Sequence, residues 1–131
     1  MSTPTITHVD LLLLGLLQDR PMHGYELHQL VKHEGIDDWL NVSMPGIYYS
    51  LGKLRDRALV TESRQRRAGG ADKAIYRVTE AGRAAFFDAL EEQLSGQSLP
   101  RFDYDLGVFF LNRMPMQRAL DLLDQRQRFL A

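Results

Sequence analysis

Eight basic residues crowd between positions 53 and 77: Lys53, Arg55, Arg57, Arg64, Arg66, Arg67, Lys73 and Arg77. The acids among them are Asp56, Glu62 and Asp72, a surplus of five positive charges in a chain whose formal net charge is −1. The other eight bases and fourteen acids leave the rest of the molecule at −6. A near-neutral total thus hides one cationic lobe, and the chemistry such a lobe performs is the docking of a polyanion. The competing reading is a hairpin that merely solvates its arginines.

Bond-making chemistry finds no comparable cluster. Four histidines, His8, His23, His28 and His33, show no His-Glu-x-x-His or related ligand spacing. His23, His28 and His33 are five apart, which spreads them around a helix. No cysteine means no thiol nucleophile and no thiolate metal site. A phosphate-binding glycine loop and a serine-nucleophile elbow are both missing. Asp37-Asp38 and Glu91-Glu92 are adjacent, so their carboxylates diverge on a helix instead of sharing a proton. The expectation is a protein that is not an enzyme, with no catalytic residue, no metal and no cofactor. At 44% hydrophobic and 25% charged residues the chain is ordinary globular material. The N-terminus lacks the basic start of a secretory signal, and Leu11 to Leu17 is far shorter than the roughly 20 apolar residues that span a bilayer. A cytoplasmic protein without a membrane role is expected.

The cationic lobe needs elements to hold it. Thr7 caps a first helix, with Asp10 in the capping-box position, and Leu11–Leu17 is apolar nearly all round, a central core helix. Asp19-Arg20-Pro21 ends it. A second helix follows from His23 to Lys32, with Leu27, Leu30 and Val31 inward and Gly35 as its stop. Trp39 and Leu40 are packing residues. Ser43 caps the third helix and Pro45 sits in its first turn, where its missing N–H costs nothing. Ile47, Leu51, Leu54 and Ala58 form its buried stripe. Its opposite side carries Pro45, Tyr49, Gly52 and Lys53, flanked by Gly46, Tyr48, Ser50 and Arg57. Gly52 costs about 1 kcal/mol against alanine in a helix, which signals either close approach of another backbone or a tolerated defect. Two strands, Val60–Arg66 and Lys73–Val78, are joined by the turn Ala68 to Asp72. Thr79 caps a fourth helix carrying Phe86, Phe87, Leu90 and Leu94. Ser95 to Pro100 reads as linker.

The last segment is helical and unlike a core. Leu106, Phe109 and Phe110 make a greasy patch. Met116, Leu120, Leu123 and Leu130 follow a four-three rhythm in which Gln127 fills the missing position, about two heptads. That stripe needs a partner, the fourth helix or a second subunit, and both are expected, giving a homodimer. The chain ends at Phe129-Leu130-Ala131 without a stop signal, so the natural protein is expected to continue.

Three helices followed by a basic two-stranded hairpin make a winged helix-turn-helix: a mostly α fold with a small two-stranded β wing and a C-terminal dimerisation helix. The expected divisions are a DNA-binding domain over 1–94, a linker over 95–104 and a helical dimerisation segment over 105–131. In this plan the third helix enters the major groove of double-stranded DNA. Phosphate contacts fall to Arg64, Arg66, Arg67 and Lys73 on the wing and Lys53 on the helix. Base-edge contacts fall to the exposed first turns: Ser43 at the cap, then Pro45, Gly46, Tyr48, Tyr49 and Ser50. Tyr48 lies beside the stripe, so a half-buried core tyrosine and a DNA-facing one are equally open. Arg55 and Arg77 suit surface ion pairs.

The stretch Ser43-Met-Pro-Gly-Ile-Tyr-Tyr-Ser-Leu-Gly-Lys-Leu-Arg-Asp-Arg-Ala-Leu-Val60 resembles the recognition helix of PadR-like transcriptional regulators. His23-Gly-Tyr-Glu-Leu27 and Ile75-Tyr-Arg-Val-Thr-Glu-Ala-Gly-Arg83 resemble the same family, in the same order, over about residues 9 to 90. The resemblance implies a homodimeric bacterial repressor on an inverted repeat, and it puts Tyr48 at the family's DNA-facing tyrosine. The segment from Phe109 through Leu130 is similar to the family's dimerisation helix. Gly46 stands where the family commonly has serine or threonine, removing a hydroxyl. Ala58 replaces the usual glycine, so a differently shaped helix end is expected there. A small-molecule effector that changed the angle between two wings would loosen such a dimer, because half-sites about 34 Å apart are read together only while that spacing holds. The alternative is a winged-helix protein-interaction module that reads no DNA sequence.

Overall fold

A computed structural model of the chain describes residues 5–38, 40–66, 70, 73–95, 110 and 113–130, with Leu130 described in its backbone only. Trp39, Arg67, Leu106 and Phe109 lie outside them, as does most of the wing tip and of the linker. The elements run α1 (His8–Leu17), α2 (Gly24–His33), a 3-10 turn (Ile36–Asp38), α3 (Met44–Asp56), β1 (Val60–Gln65), β2 (Lys73–Val78), α4 (Glu80–Leu94) and α5 (Met116–Leu130). This is the winged helix-turn-helix, with a further helix behind it.

The Leu-rich α1 is the hub. Thr7 and Asp10 form a reciprocal capping box, and Leu11 through Leu14 have no solvent exposure. At roughly 2 kcal/mol for each fully buried leucine, an unpaired charge in place of any of these four would be strongly destabilising. Packed around it are α3 and α4. The wing is antiparallel, Val60 opposite Val78 through Gln65 opposite Lys73, one residue shorter at β1 than expected. On its other edge β2 pairs with the segment leading into α2: Met22 and Tyr76 exchange both backbone hydrogen bonds, at 3.1 and 2.8 Å. That bridge ties the wing to the helix-turn-helix.

Where α3 ends, two carbonyls are recaptured: the Leu59 N–H donates to the Leu54 carbonyl and the Ala58 N–H to that of Arg55, both at 2.9 Å. This double closure requires a left-handed residue at Ala58, whose φ is 61°. The expectation of a differently shaped end is therefore corrected: alanine takes the conformation glycine would. The stripe is corrected with it, since Ala58 is exposed and Leu59 turns inward instead. The Thr79 hydroxyl donates to the Ala58 carbonyl at 2.8 Å and accepts the Gly82 N–H at 3.0 Å, seating α4 on the end of α3. A β-carbon on Gly82 would meet the Leu59 carbonyl oxygen at 2.0 Å, so the Thr-Glu-Ala-Gly motif is steric.

Phe110 corrects the expected C-terminal patch. Its ring is fully buried against Gly15 and lies edge-on to Phe86 at 5.3 Å. Met114, Ala119 and Leu122 join the same core, so this segment supplies core to the winged helix.

Candidate nucleic-acid interface

The N-terminal turns of α3 face outward. Its cap Ser43 accepts the Gly46 N–H at 3.2 Å, and Pro45 sits where no donor is needed. Ser43 and Pro45 are exposed, Gly46 is partly so, Tyr48 is 47% exposed and Tyr49 70%. Two members of the expected set behave differently. Ser50 is buried and its hydroxyl donates to Asp10, because a position three after Ile47 and four before Leu54 falls on the inner face. Lys53, expected outermost, turns to the same carboxylate with its ammonium 3.4 Å away. It also lies 5.1 Å from the centre of the Tyr49 ring.

On the wing, Arg64 and Arg66 are exposed and Lys73 is half-buried at the start of β2. Arg64 has a loose acidic neighbour, Glu62 at 3.8 Å. The firm partner of Glu62 is Arg55 at 2.6 Å, the surface pair expected of that arginine. So Glu62, one of the three acids of the cationic lobe, is largely neutralised by Arg55.

Between α2, α3 and the wing opens a cavity of about 380 Å³. Tyr25, Tyr48, Arg64 and Lys73 line it, with His23 and Tyr76 deeper. Tyr48 is packed on one side and open on the other. Half of it is exposed, yet its ring fills the space over Gly24, where a β-carbon would stand 2.6 Å from ring atoms. The glycine of His-Gly-Tyr-Glu is thus the floor under the Tyr48 ring.

Sequence reasoning missed Tyr25, which is 54% exposed on the cavity wall. The available signal was its place in the first turn of α2, directly after a capped start. His23 caps that start: its Nδ1 accepts the Glu26 N–H at 3.2 Å while Glu26 accepts the His23 N–H at 3.3 Å. Burial pushes the Glu26 carboxyl up, but hydrogen bonds from Arg20 and His23 outweigh it and hold the group below the ordinary carboxylate value. Burial, then the Glu62 carboxylate, pushes the Tyr76 phenol up, so the phenol stays protonated. The cavity thus sets aromatic rings beside two cations, Arg64 and Lys73, and one carboxylate, Glu62, which Arg55 pairs at 2.6 Å.

Of the expected dimer residues, Met116 and Leu120 are strongly exposed and Leu123 is half-buried on the core. At 100° per residue, Met116, Leu120, Leu123 and Gln127 fall within about 60° of one another. The inner face, Ala119 and Leu122, packs on α4, braced by Arg118 to Glu91 at 2.9 and 3.1 Å. No helix among the described residues is long and apolar enough to cross a membrane.

The model of the transcriptional regulator PadR-like family matches residues 13–88. Among solved structures, Bacillus subtilis PadR in complex with operator DNA is similar with a TM-score of 0.64 and 24% identity. The match covers 90% of this chain, which spans only 66% of that one. A PadR family transcription regulator from Clostridium difficile has a TM-score of 0.57 and 18% identity over 80% of this chain and 99% of its own. A transcriptional regulator from Clostridium thermocellum gives 0.57 and 18%, over 82% and 89%. No curated protein matches.

Proposed function

This chain belongs to the PadR-like family of transcriptional regulators, and from that premise we propose that it is a sequence-reading repressor. It acts as a homodimer on an inverted-repeat operator in cytoplasmic DNA. The observation that carries the reading is the outward N-terminal half of α3, with Pro45, Tyr48 and Tyr49 exposed beside a cationic wing. A helix of 13 residues is about 20 Å long and fits a major groove about 12 Å wide. That Bacillus subtilis PadR was solved with operator DNA supports DNA as the ligand.

In this reading Tyr48, Tyr49 and Pro45 meet base edges and thymine methyls, with Ser43 and Gly46 at the groove's edge. Arg64, Arg66, Arg67 and Lys73 meet phosphates, and Tyr25 donates its hydroxyl to a phosphate across the cavity. The winged helix over 1–94 is the reading unit, and 105–131 joins two copies through Met116, Leu120 and Leu123. A small molecule that altered the angle between the two units would release DNA, since half-sites about 34 Å apart must be met together.

The test is selection from random duplex DNA at about 150 mM salt, where nonspecific attraction is weak. The expected product is an inverted repeat with half-sites about one helical turn apart. A folded protein that recovers no common sequence would overturn the reading and leave the protein-interaction module in its place.

A further inference from the structure

Among the described residues, Asp10 is the one acidic side chain with no solvent exposure. It belongs to α1, yet its donors come from two helices. The Thr7 backbone N–H donates to Oδ2 at 3.1 Å, the Ser50 hydroxyl donates to Oδ1, and the Lys53 ammonium lies 3.4 Å from Oδ2. Ser50 and Lys53 are three apart on α3, so a single carboxylate holds one edge of that helix. Otherwise the buried residues of α3 are Ile47, Leu51 and Leu54. Aliphatic burial is non-directional, so the apolar stripe fixes the rotation of α3 only to within its own width. Hydrogen bonds to a fixed carboxylate supply the missing direction.

The same network reaches the outer surface. The Lys53 ammonium that meets Asp10 also lies against the face of Tyr49, a ring 70% exposed. A cation under an aromatic face restrains it. We infer that Asp10 is a positioning residue for the DNA-reading face. It sets the rotation of α3 and keeps Lys53 on the protein side of Tyr49, as the bracket that aims that tyrosine. The charge of Lys53 is then spent inside the protein and is not one of those that neutralise phosphates. The inference rests on reading α3 as the DNA-contacting helix.

Phosphate neutralisation and positioning leave different signatures. Each neutralised phosphate contributes about 0.9 to the slope of log affinity against log salt. Arg64→Ala should flatten that slope by about one unit. Lys53→Met should leave it unchanged while lowering the preference for operator over scrambled DNA by about tenfold, and Asp10→Asn should lower the preference likewise. The experiment titrates the full chain and these variants with the selected duplex and a scrambled one between about 50 and 200 mM salt. It also records the Tyr49 ring resonances in the free proteins by NMR. Shifted Tyr49 resonances in both variants, with lost preference and the unchanged Lys53→Met slope, are expected. A flatter slope with preference intact in Lys53→Met would make Lys53 an ordinary phosphate ligand and overturn the bracket. An unmoved Tyr49 resonance in Lys53→Met would overturn it equally. Should Asp10→Asn fail to fold, Lys53→Met, changed at a partly exposed side chain, carries both readouts. An unaltered chain that binds neither duplex overturns the DNA reading instead, and the Tyr49 resonance still decides the bracket.

Discussion

The ring of Phe110 occupies the place where a side chain on Gly15 would begin: a β-carbon there would stand 2.4 Å from two of its atoms. A residue from the C-terminal segment thereby closes the core at the central helix. Phe110→Ala should cost about 3–5 kcal/mol by emptying the socket. Gly15→Ala, which evicts the ring while adding only a methyl, should cost about 1–3 kcal/mol through overpacking. Urea unfolding measures both. An unchanged midpoint for Gly15→Ala would mean that the ring is not seated there.

Ala58 at φ 61° pays the steric cost of a left-handed L-residue, about 1–2 kcal/mol, in a position whose hydrogen bonds demand it. Glycine removes the clash but loses more chain entropy on folding. Ala58→Gly should therefore raise stability by about 1 kcal/mol, with DNA binding unaffected because the residue lies at the far end of α3 from Tyr48. Destabilisation on thermal or urea unfolding would contradict the assigned end of the helix.

Local signals were readable without a structure. The Thr7–Asp10 box, the Ser43 cap with Pro45 and the Thr79 cap each stand where residue type and spacing put them, because a cap needs only neighbours in sequence. Positions whose neighbours come from elsewhere were not. The stripe Ile47, Leu51 and Leu54 by itself puts Ser50 outside, whereas a packed helix buries a wider band that takes in the third position too. Phe110 looked like surface grease because its socket lies in α1, far away along the chain. Tyr25 went unnoticed because the cavity it lines is completed by α3 and the wing. The cationic lobe was legible as a sum of charges, but which cations are already partnered, Lys53 by Asp10 and Arg55 by Glu62, depends on tertiary contacts.

Between α4 and α5 stands a pH-sensitive brace. Hydrogen bonds from Arg118 hold the Glu91 carboxyl below the ordinary value of 4.5, against the opposing effect of burial. A group whose pKa is depressed by folding contributes its full stabilisation above the unfolded value and loses it as pH falls through the folded one. The brace should thus be constant from neutral pH to about 4.5 and fade below. Both partners are partly exposed, so the effect is small. Glu91→Gln should lower stability slightly at pH 7 and flatten the acid limb of the urea midpoint against pH. A limb as steep as that of the unaltered protein would assign the acid sensitivity elsewhere.

Leu120 is 54% exposed beside Met116 at 78%, on the side of α5 turned away from its contact with α4. If two chains join there, Leu120→Glu buries an unpaired charge at each copy and should dissociate the dimer without unfolding the protomer. Sedimentation at micromolar protein reads the mass, and circular dichroism reads the fold. A dimer that survives the charge lies on another surface.

Gly52 differs from the glycines that packing requires. Gly82 and Gly24 have immediate neighbours, but a β-carbon on Gly52 would meet nothing nearer than the Arg55 guanidinium at 3.9 Å. Nothing within the chain needs glycine there, and in mid-helix it costs about 1 kcal/mol relative to alanine. Gly52→Ala should accordingly stabilise the free protein by up to about that amount. Gly52 lies on the outer side of α3, and if α3 reads DNA as proposed, close passage of the DNA backbone there, which an added methyl would obstruct, is a reason to forgo that stability. The expected outcome is a more stable protein that binds its operator at least about tenfold more weakly, or about 1.4 kcal/mol, with the salt slope unchanged because no charge is altered. A variant both more stable and equally tight would show that no backbone comes close at this position.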